Sequence, residues 1–400
     1  MAEKKRIPEI RFNGFEEEWE EKRFDEIVNR VSNTSSDVNL PRVEYEDIVS
    51  ERGLLNKDIY EKKSNKSGIK FTKNDILFGK LRPYLKNWIL SDFSGIAVGD
   101  FWVLRPKEEN SSKYIYYFIQ SSEFEYLANL STGTKMPRSD WNLIKSTSFK
   151  IPKKLEQEKI GTLFYYNDYT INNIEKNIEN LSIYKQSMLQ KMFPKQGKKV
   201  PEVRFEGFEG EWEEKKIEDC YVDSGSGGTP KSSNKEFYGG EIPFLSITDI
   251  TNSNGVIYKT EKNITTKGLE SSAARMFPKN SLSLAMYASV GKIAIMGTNM
   301  ATSQAFYNMT FNSEVESKFM YFYLKLFEIT NGWRHLIETG TQGNLNASIV
   351  KNRVVKIPSL PEQKQIGTFF KSLDNQISLQ QQKLDTYKSL KKTLLDKMLI

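Results

Sequence analysis

The chain repeats its own opening segment at its midpoint, and this repeat constrains the fold more than any other feature of the 400 residues. The segment "IPEIRFNGFEEEWEEKR" begins at Ile7, and "VPEVRFEGFEGEWEEKK" begins at Val200. Twelve of the first eighteen positions are identical when Pro8 is aligned with Pro201. A second pair of segments closes the halves, "IPKKLEQEKIGTLF" from Ile151 and "IPSLPEQKQIGTFF" from Ile357. Two homologous halves with similar ends are therefore expected.

The regions between these flanking segments are much less alike. They share a Thr-Gly-Thr turn and a strand-like run into Ile-Pro, but little else. An ordinary duplication would let both copies diverge evenly along their length. Similar ends around dissimilar middles instead favour two different functions within each half. The flanking segments, which we call the frames, would stay alike because they share one role, and the regions between them, which we call the inserts, would differ because their roles differ. Because only two copies occur, with a period near 200 residues, a solenoid is excluded.

Each closing segment predicts a long helix with an apolar stripe. The stripe advances by alternating steps of three and four residues, as the a and d positions of a coiled coil do. We expect the two helices to pack on each other, antiparallel if a two-fold axis relates the halves, although each could instead pack on its own domain. Polar positions Asn167, Gln380, Lys185 and Lys391 would help to fix the register. The predicted helix-pairing residues are Phe164, Ile171, Ile174, Ile178, Leu181, Met188, Phe370, Leu373, Ile377, Leu384, Tyr387 and Leu394.

The inserts have the pattern of mixed α/β domains. Apolar runs at 100–106, 241–250 and 291–297 predict strands, and amphipathic stretches at 111–130 and 313–333 predict helices that begin at serine. The predicted fold class is therefore α/β (α+β), with two mixed domains in a pseudo-two-fold arrangement, joined by two long helices as an antiparallel coiled coil. The predicted domains are 1–150 (repeated segment 7–24), the helical spacer 151–194, 195–356 (repeated segment 200–217) and the helical spacer 357–400.

Composition points to a polyanionic partner in a reducing compartment. The net charge of +7 and the pI near 9.0 favour nucleic acid first and an anionic membrane second. The 24 Phe, 19 Tyr and 6 Trp suffice for real hydrophobic cores, and the single cysteine, Cys220, excludes an internal disulfide. No signal-peptide pattern opens the sequence, and no stretch approaches the ~18 apolar residues of a membrane span. We expect a soluble, cytoplasmic protein.

The residues that catalysis needs are missing from the sequence. One histidine (His335) and one cysteine (Cys220) cannot form a zinc site, and no GxxxxGK[ST] phosphate loop occurs. The run "SGSGGTP" lacks the strand–loop–helix setting of a dinucleotide site, and most carboxylates lie in mixed-charge, solvated stretches. The sequence predicts no catalytic residue, no metal site and no cofactor in this chain. It predicts a binding protein that is not an enzyme.

Loops rich in cationic, amide and hydroxyl side chains are the best candidates for binding. Arginine and lysine donate to guanine, glutamine and asparagine pair with adenine, and hydroxyls or lysines hold phosphates. A solvated surface role remains the ordinary alternative for any one of these residues. The candidate DNA-binding residues are Lys80, Arg82, Tyr84, Lys135, Arg138 and Ser139 in the first insert, and Thr229, Lys231, Ser289, Lys292, Thr341, Gln342, Asn344 and Asn346 in the second.

Taken in order, these motifs resemble the specificity (S) subunit of type I restriction–modification systems over essentially the whole chain. The resemblance lies in the paired openings, the "IP…EQ..IG" helix starts, "GGTPKSSNKEFYGGEIPFLSITDI", "KLRPYLKNWILSDFSGIAVGDFWVLRP" and "ATSQAF". "GIAVGD" and "AMYASVGK" depart from the commonest wording of the family, which leaves the base contacts of these loops open.

The resemblance implies a particular partnership. Each insert would be a target-recognition domain that reads one half of a bipartite, gapped site in double-stranded DNA. The helices would set the gap and dock two modification (methyltransferase) subunits, with restriction (motor–nuclease) subunits in the full complex. S-adenosylmethionine, ATP and Mg²⁺ would belong to those partners. Two alternatives stay open: a fused methyltransferase or nuclease with unrecognised motifs, and a coiled-coil scaffold whose basic charge is incidental.

Overall fold

The chain divides into two units, and each unit contains part of both long helices. The computed structural model describes residues 7–61, 64–130, 136–333, 336 and 345–400. Unit 1 comprises Met1–Glu175 and Lys383–Ile400, and unit 2 comprises Lys176–Gln382. The predicted division into inserts and helical spacers stays a prediction, and by packing each compact unit takes in segments of both helices. The physical reason is that the core of each unit includes residues from the start of one long helix and from the end of the other.

Unit 1 is a mixed α/β structure. Its described strands are β1 (Glu20–Arg23), β2 (Val28–Val31), β3 (Thr34–Ser35), β4 (Arg42–Val43), β5 (Ile48–Val49), β6 (Leu54–Leu55), β7 (Gly68–Phe71), β8 (Ile76–Gly79), β9 (Trp88–Leu90), β10 (Gly95–Ala97), β11 (Phe101–Pro106) and β12 (Ser148–Ile151). Its helices are α1 (Phe24–Ile27), α2 (Ser112–Phe118), α3 (Ser122–Asn129), α4 (Trp141–Ser146) and the first part of α5 (Lys154–Lys191), with 3₁₀ turns at Tyr45–Asp47 and Pro83–Leu85.

Unit 2 has the same kinds of element in a similar order. Its described strands are β13 (Glu213–Lys216), β14 (Tyr221–Gly225), β15 (Tyr238–Phe244), β16 (Val256–Ile257), β17 (Lys262–Ile264), β18 (Arg275–Phe277), β19 (Leu282–Ala285), β20 (Ile293–Met296), β21 (Met300–Thr302), β22 (Phe306–Phe311) and β23 (Val354–Ile357). Its helices are α6 (Ile247–Asn252), α7 (Thr266–Glu270), α8 (Ser317–Ile329), α9 (Ala347–Lys351) and most of α10 (Leu360–Met398), with 3₁₀ turns at Ile217–Cys220 and Lys235–Phe237.

The inserts share a topology although their sequences differ. In the described part of unit 1 one sheet has the order β2-β11-β8-β9, and in unit 2 the order is β14-β22-β19-β20-β16. The second sheets are β3-β7-β10-β4 and β17-β15-β21-β18. In each of these, a central strand pairs parallel on one side and antiparallel on the other: β10 with β4 and β7, β21 with β15 and β18. The two inserts therefore share the core of one fold, while the outer strands β3 and β17 lie on opposite sides of the second sheet.

The apolar runs form strands that are buried on both faces. In β8 and β11, Phe78 and Trp102 pack with the helices, while Leu77 and Val103 pack in the second core beneath the other sheet. Because side chains alternate across a strand, a strand between two cores is expected to be apolar on both faces. In β19 and β22 of unit 2 the apolar side chains also divide between two cores, and the buried polar residues Ser283 and Asn308 are paired, with the Ser283 hydroxyl donating to Asn308 Oδ1 at 2.6 Å. The runs at 100–106 and 291–297 are confirmed as strands on this basis.

Three local expectations need correction. The stretch 111–130 forms two helices, because Ser121 caps a new one by accepting from the Phe124 N–H at 3.3 Å. The stretch 241–250 is a strand only to Phe244 and then a helix capped by Ser246. Helix α8 begins at Ser317 with Glu316 as its N-cap, so it is not entered through serine. Both Thr-Gly-Thr turns lie outside the described residues.

The repeated opening segments bind the starts of the long helices through matched ion pairs. Arg11 donates from Nε and Nη2 to the two carboxylate oxygens of Glu156, at 2.7 and 2.9 Å. Arg204 makes the same two bonds to Glu362, both at 2.7 Å. The side chains of Glu156 and Glu362 are 2% and 0% exposed. The arginine of each opening therefore neutralises the buried glutamate of each "EQ" pair.

The glutamine of each "EQ" pair joins the long helix to an insert helix. Gln157 accepts from the Ser111 N–H at 2.9 Å and donates to the Pro152 carbonyl at 2.8 Å. Gln363 accepts from the Glu316 N–H at 2.9 Å and donates to the Pro358 carbonyl at 2.9 Å. Ser111 and Glu316 are the N-caps of α2 and α8, so each frame sets the position of its insert at the same point.

Segments of the two long helices run antiparallel inside each unit. In unit 1, Lys391 pairs with Asp168 at 2.8 Å and Lys388 pairs with Glu175 at 2.9 Å. In unit 2, Lys185 pairs with Asp374. The pair 168/391 and the pair 374/185 occupy equivalent positions of the repeat, so each of the two lysines predicted to help fix the register pairs with an aspartate on the other helix.

All twelve predicted helix-pairing residues are buried or half-buried. Phe164 and Leu394 belong to the core of unit 1, and Leu181, Met188 and Phe370 belong to that of unit 2. Neither long helix is apolar enough to cross a membrane, and the same holds for every other helix in the described part of the chain.

Candidate nucleic-acid interface

The candidate residues of the first insert meet in a pair of loops. Lys80–Asn87 follows β8, and Met136–Asp140 precedes α4. The Lys80 carbonyl accepts from the Ser139 N–H at 2.9 Å, and the Arg82 N–H donates to the Pro137 carbonyl at 2.7 Å. We call these two stretches the first paired loops. The sequence suggested these two loops separately as candidates for DNA binding, and the structure shows that they form one surface.

The first paired loops present cationic and aromatic groups to solvent. The whole residue Tyr84 is 54% exposed, and the Arg138 side chain is 54% exposed. Arg82 is exposed and adopts a left-handed backbone with φ 48°. Lys80 is half-buried, with Nζ 3.6 Å from Asp100 Oδ1. These four residues provide donors for phosphate or base edges and a ring for stacking.

Ser139 has to be removed from the candidate set. It is only 7% exposed, and its hydroxyl donates to the Ala128 carbonyl at 2.8 Å. Its neighbour Arg138 points outward, so the two residues have opposite roles in one loop. Lys135 lies outside the described residues.

Unit 2 builds the same arrangement with other residues. Its second paired loops are Met286–Lys292, after β19, and Leu345–Asn346, before α9. The Met286 carbonyl accepts from the Leu345 N–H at 2.9 Å, as the Lys80 carbonyl accepts from Ser139. The Met286 N–H donates to the Ala305 carbonyl at 2.9 Å, as the Lys80 N–H donates to Asp100 at 2.9 Å. The backbone pattern is shared and the side chains differ.

The second paired loops present hydroxyl, aromatic and amide groups. Ser289 is exposed with φ 55°, and Tyr287 is 48% exposed. Asn346 is exposed at the N-cap of α9, where its Oδ1 accepts from the Ser348 N–H at 2.9 Å. Lys292 lies 2.7 Å from Glu328 of α8, so much of its charge is neutralised. Thr341, Gln342 and Asn344 lie outside the described residues.

A glycine-rich loop adjoins the second paired loops. The Gly227 N–H donates to the Ser303 carbonyl at 3.2 Å, and the Thr229 hydroxyl donates to Gln304 Oε1 at 2.9 Å. A Cβ on Gly227 would stand 1.9 Å from the Thr302 carbonyl oxygen, so only glycine permits this approach. Lys231 of the same loop is exposed. The loop thereby contacts Gln304, which precedes Ala305, the residue that accepts a hydrogen bond from Met286 of the second paired loops.

Sequence reasoning did not select Gln304, Tyr287 or Asp100. Gln304 is exposed beside Thr229. It lies in the run "ATSQAF", whose resemblance to the family could have pointed to it. Asp100 contacts both Lys80 and Arg138, at 3.6 and 3.1 Å. An aspartate at the end of an apolar strand carries no such signal, because its neighbours come from other parts of the chain.

The cysteine and the acidic residues in the described part of the chain form neither a reactive thiol nor a metal site. Cys220 is fully buried, and burial raises the pKa of its thiol to about 12, so it is not an activated nucleophile. Within the described ranges, no group of three or more His, Cys, Asp or Glu side chains is placed to hold a metal ion. His335 lies outside those ranges.

The fold and the paired loops define a duplicated recognition protein, in which one scaffold presents two different loop surfaces. A model of the type I restriction modification DNA specificity domain matches residues 16–182 and 209–388. The chain belongs to this family. The two matched ranges cover the two inserts, each with the first part of its long helix.

Curated relatives are specificity subunits of type I restriction enzymes. The MjaIX subunit of Methanocaldococcus jannaschii is 31% identical over 168 residues, which are 42% of this chain and 39% of that protein. The HindI subunit of Haemophilus influenzae is 30% identical over 157 residues, or 38% of this chain and 34% of that protein. The MjaVIII subunit of M. jannaschii is 24% identical over 350 residues, or 83% and 81% of the two chains. The first two alignments thus span little more than a third of the relatives' lengths.

Solved structures share the fold over nearly the whole chain. A type I restriction–modification S subunit from M. genitalium matches with a TM-score of 0.63 and 16% identity, covering 98% of this chain and 99% of that one. A chain from a structure on assembly and conformational transition of the type I R-M system matches with a TM-score of 0.54 and 19% identity, covering 95% and 97%.

Proposed function

We propose that this chain is the DNA sequence-specificity subunit of a type I restriction–modification complex. Unit 1 and unit 2 would each read one half of a bipartite, gapped site in double-stranded DNA. The observation that carries the proposal is the shared backbone of the paired loops, which presents Arg82, Tyr84 and Arg138 in one unit and Tyr287, Ser289 and Asn346 in the other. A common scaffold with different exposed donors suits two readers of different sequences.

The repeated frames would dock two copies of one modification subunit. Each unit has a shallow, wide-open groove between its opening segment and the start of a long helix. In unit 1 the groove has a volume of about 430 Å³ and is lined by Phe12, Leu155 and Leu163, among others. In unit 2 it has about 490 Å³ and is lined by Phe205, Pro361 and Phe369, among others. These residues are equivalent in the repeat, so two like grooves would accept two like partners.

The chemistry would belong to the partners of this chain. Modification subunits would transfer a methyl group from S-adenosylmethionine to adenine, and restriction subunits would use ATP and Mg²⁺ to move along DNA and cleave it. This chain would supply the choice of site and contribute no catalytic residue. The modest charge of +7 fits this division, since the partners would supply many of the phosphate contacts.

The test is a genome-wide map of methylated bases in a methylation-free host that expresses this chain with its modification subunit. We expect methyladenine at one bipartite, gapped motif that is absent when the modification subunit is expressed alone. Co-purification of the two proteins without any motif would refute the proposal and leave the scaffold alternative. Binding of S-adenosylmethionine by the isolated chain would refute its non-catalytic role.

A further inference from the structure

One arginine of the first paired loops is oriented by a carboxylate. Arg138 donates from Nη2 to Asp100 Oδ2 at 3.1 Å, and Lys80 Nζ lies 3.6 Å from Asp100 Oδ1. The Arg138 side chain is 54% exposed and that of Asp100 is 30% exposed. A guanidinium has five N–H donors in a planar fork, so the donors that Asp100 does not use remain accessible.

The backbone beneath this pair is fixed by a half-buried tyrosine. The Tyr45 hydroxyl donates to the Asp100 carbonyl at 3.0 Å and accepts from the Leu81 N–H at 2.9 Å. Leu81 in turn forms an isolated antiparallel bridge with Arg138. Burial raises the pKa of Tyr45, so its hydroxyl keeps the proton that it donates. Asp100, Leu81 and Arg138 therefore hold one geometry before any ligand binds.

The local charge weakens the attraction for a phosphate, and the geometry of the donors suits a base edge. Lys80 and Arg138 share one aspartate, so the cluster has a net charge of about +1, and its carboxylate would repel a nearby phosphate. A planar pair of N–H donors matches the O6 and N7 acceptors of guanine, the commonest specific arginine contact in the major groove. A fork oriented in advance loses less conformational entropy on binding than a free side chain does. The other lysine of this loop, Lys86, is held by Glu51 and Glu125 at 3.4 and 3.0 Å.

We propose that Arg138, oriented by Asp100, reads the guanine of one G·C base pair in the half-site bound by unit 1. The inference rests on the proposed function and assigns a specificity-determining residue to it. Asp100 is then a positioning residue, and it also weakens attraction to non-cognate backbone at this point.

The experiment compares methylation maps of the co-expressed complex for wild type, Arg138→Ala, Arg138→Lys and Asp100→Asn. For Arg138→Ala we expect one position of one half-site, G·C in the wild-type motif, to become degenerate. Discrimination there should fall by roughly 5- to 150-fold, while the other half-site stays unchanged. Arg138→Lys should retain part of that discrimination. Asp100→Asn should relax the same position and raise affinity for unrelated DNA, because a negative charge is lost.

The matched control is Arg23→Ala. Arg23 pairs with Asp25 at 2.5 Å with side-chain exposures of 53% and 32%, close to those of the Arg138–Asp100 pair, but it lies at the end of β1, outside the first paired loops and outside the lining of the unit 1 groove. Its methylation motif should equal that of wild type. Binding is also titrated with salt, because a lost phosphate contact lowers the slope of log K against log salt by about 1, whereas a lost base contact leaves the slope unchanged.

The outcomes separate the two proposals. A wild-type map without a motif refutes the proposed function itself. A wild-type motif that is unchanged in folded Arg138→Ala overturns only the assignment of Arg138. Relaxation at an A·T pair, or uniformly weaker binding with a lower salt slope, also overturns that assignment. Circular dichroism and co-purification establish that each variant folds and assembles, and Arg138→Lys provides the readout if Arg138→Ala does not.

Discussion

At the scale of residues, the buried carboxylates of the frame make the sharpest stability prediction. The Glu362 side chain has 0% exposure and receives both of its ion-pair bonds from Arg204. Arg204→Ala would leave this charge buried without its partner, and we expect a loss of about 3–5 kcal/mol in the free energy of unfolding. Urea unfolding followed by fluorescence measures it. Adding Glu362→Gln to the Arg204→Ala variant should restore part of the loss.

The control for this prediction is a surface pair in the same unit. Lys195 and Glu202 form an ion pair with side-chain exposures of 61% and 51%. Water already solvates both groups, so Lys195→Ala should leave the urea midpoint close to that of wild type. A midpoint for Arg204→Ala no lower than for Lys195→Ala would contradict the role given to the frame pair.

Single residues also mark how far the sequence predicts the site. The repeat singles out Arg11, Arg204 and the "EQ" pairs, but the arginine–glutamate contacts span 145 and 158 residues, which no local sequence pattern reveals. Arg138 and Ser139 are equally good candidates for DNA binding in the sequence, yet Arg138 is exposed and Ser139 is buried. An irregular loop has no periodicity to distinguish them, so only the tertiary fold does.

At the scale of elements, the close approach of each long helix to its insert helix can be tested at one glycine. A Cβ on Gly161 of α5 would stand 2.6 Å from the Tyr114 backbone nitrogen of α2. In an open helix, alanine in place of glycine gains up to about 1 kcal/mol, but overpacking costs about 1–3 kcal/mol. We therefore expect Gly161→Ala to destabilise unit 1 in urea unfolding.

The repeat supplies the comparison for this prediction. At Gly367 of α10, the equivalent Cβ would stand 2.9 Å from the Lys318 Cβ and 3.1 Å from the Phe319 nitrogen. Because that site is roomier, Gly367→Ala should cost less than Gly161→Ala. A stabilising Gly161→Ala would show that α5 and α2 can separate without loss.

Elements were the scale that the sequence predicted best. The helical periodicity gave both long helices, observed as Lys154–Lys191 and Leu360–Met398, and the apolar runs gave β11 and β20. The break between α2 and α3 was missed, because Ser121 lies in a continuous amphipathic pattern and its capping role depends on local geometry. The common topology of the inserts was not predicted either, since different sequences can bury the same strands.

At the scale of the whole molecule, the two units should be exchangeable readers. Replacing 227–356 with the equivalent insert of another family member should change one half-site of the methylation motif and leave the other intact. The reason is that the frame ion pair of Arg204 and Glu362 falls outside the exchanged range. The reciprocal exchange of 25–147 in unit 1 should alter the opposite half. A change in both halves after either exchange would contradict modular reading.

The duplication made two related halves predictable, and the predicted domain boundaries stay a prediction. The sequence separated inserts from helices at 150/151 and 356/357, whereas the structure divides both helices between the units. Helical periodicity continues across that division without a signal, because the same apolar stripe serves both cores.

Unit 1 is built from two separate segments of the chain, and this determines the order in which the chain can fold. Unit 2 is one continuous stretch, Lys176–Gln382, and all of it is available once that stretch has left the ribosome. Unit 1 must wait for Lys383–Ile400, because Met398 and Leu399 are 2% and 3% exposed in its core, and the Ile10 N–H bonds to the Lys397 carbonyl at 3.1 Å. The first unit to be synthesised is therefore the last to be completed. A nascent chain, or a chain truncated before Lys383, would expose the apolar core of unit 1 and not that of unit 2.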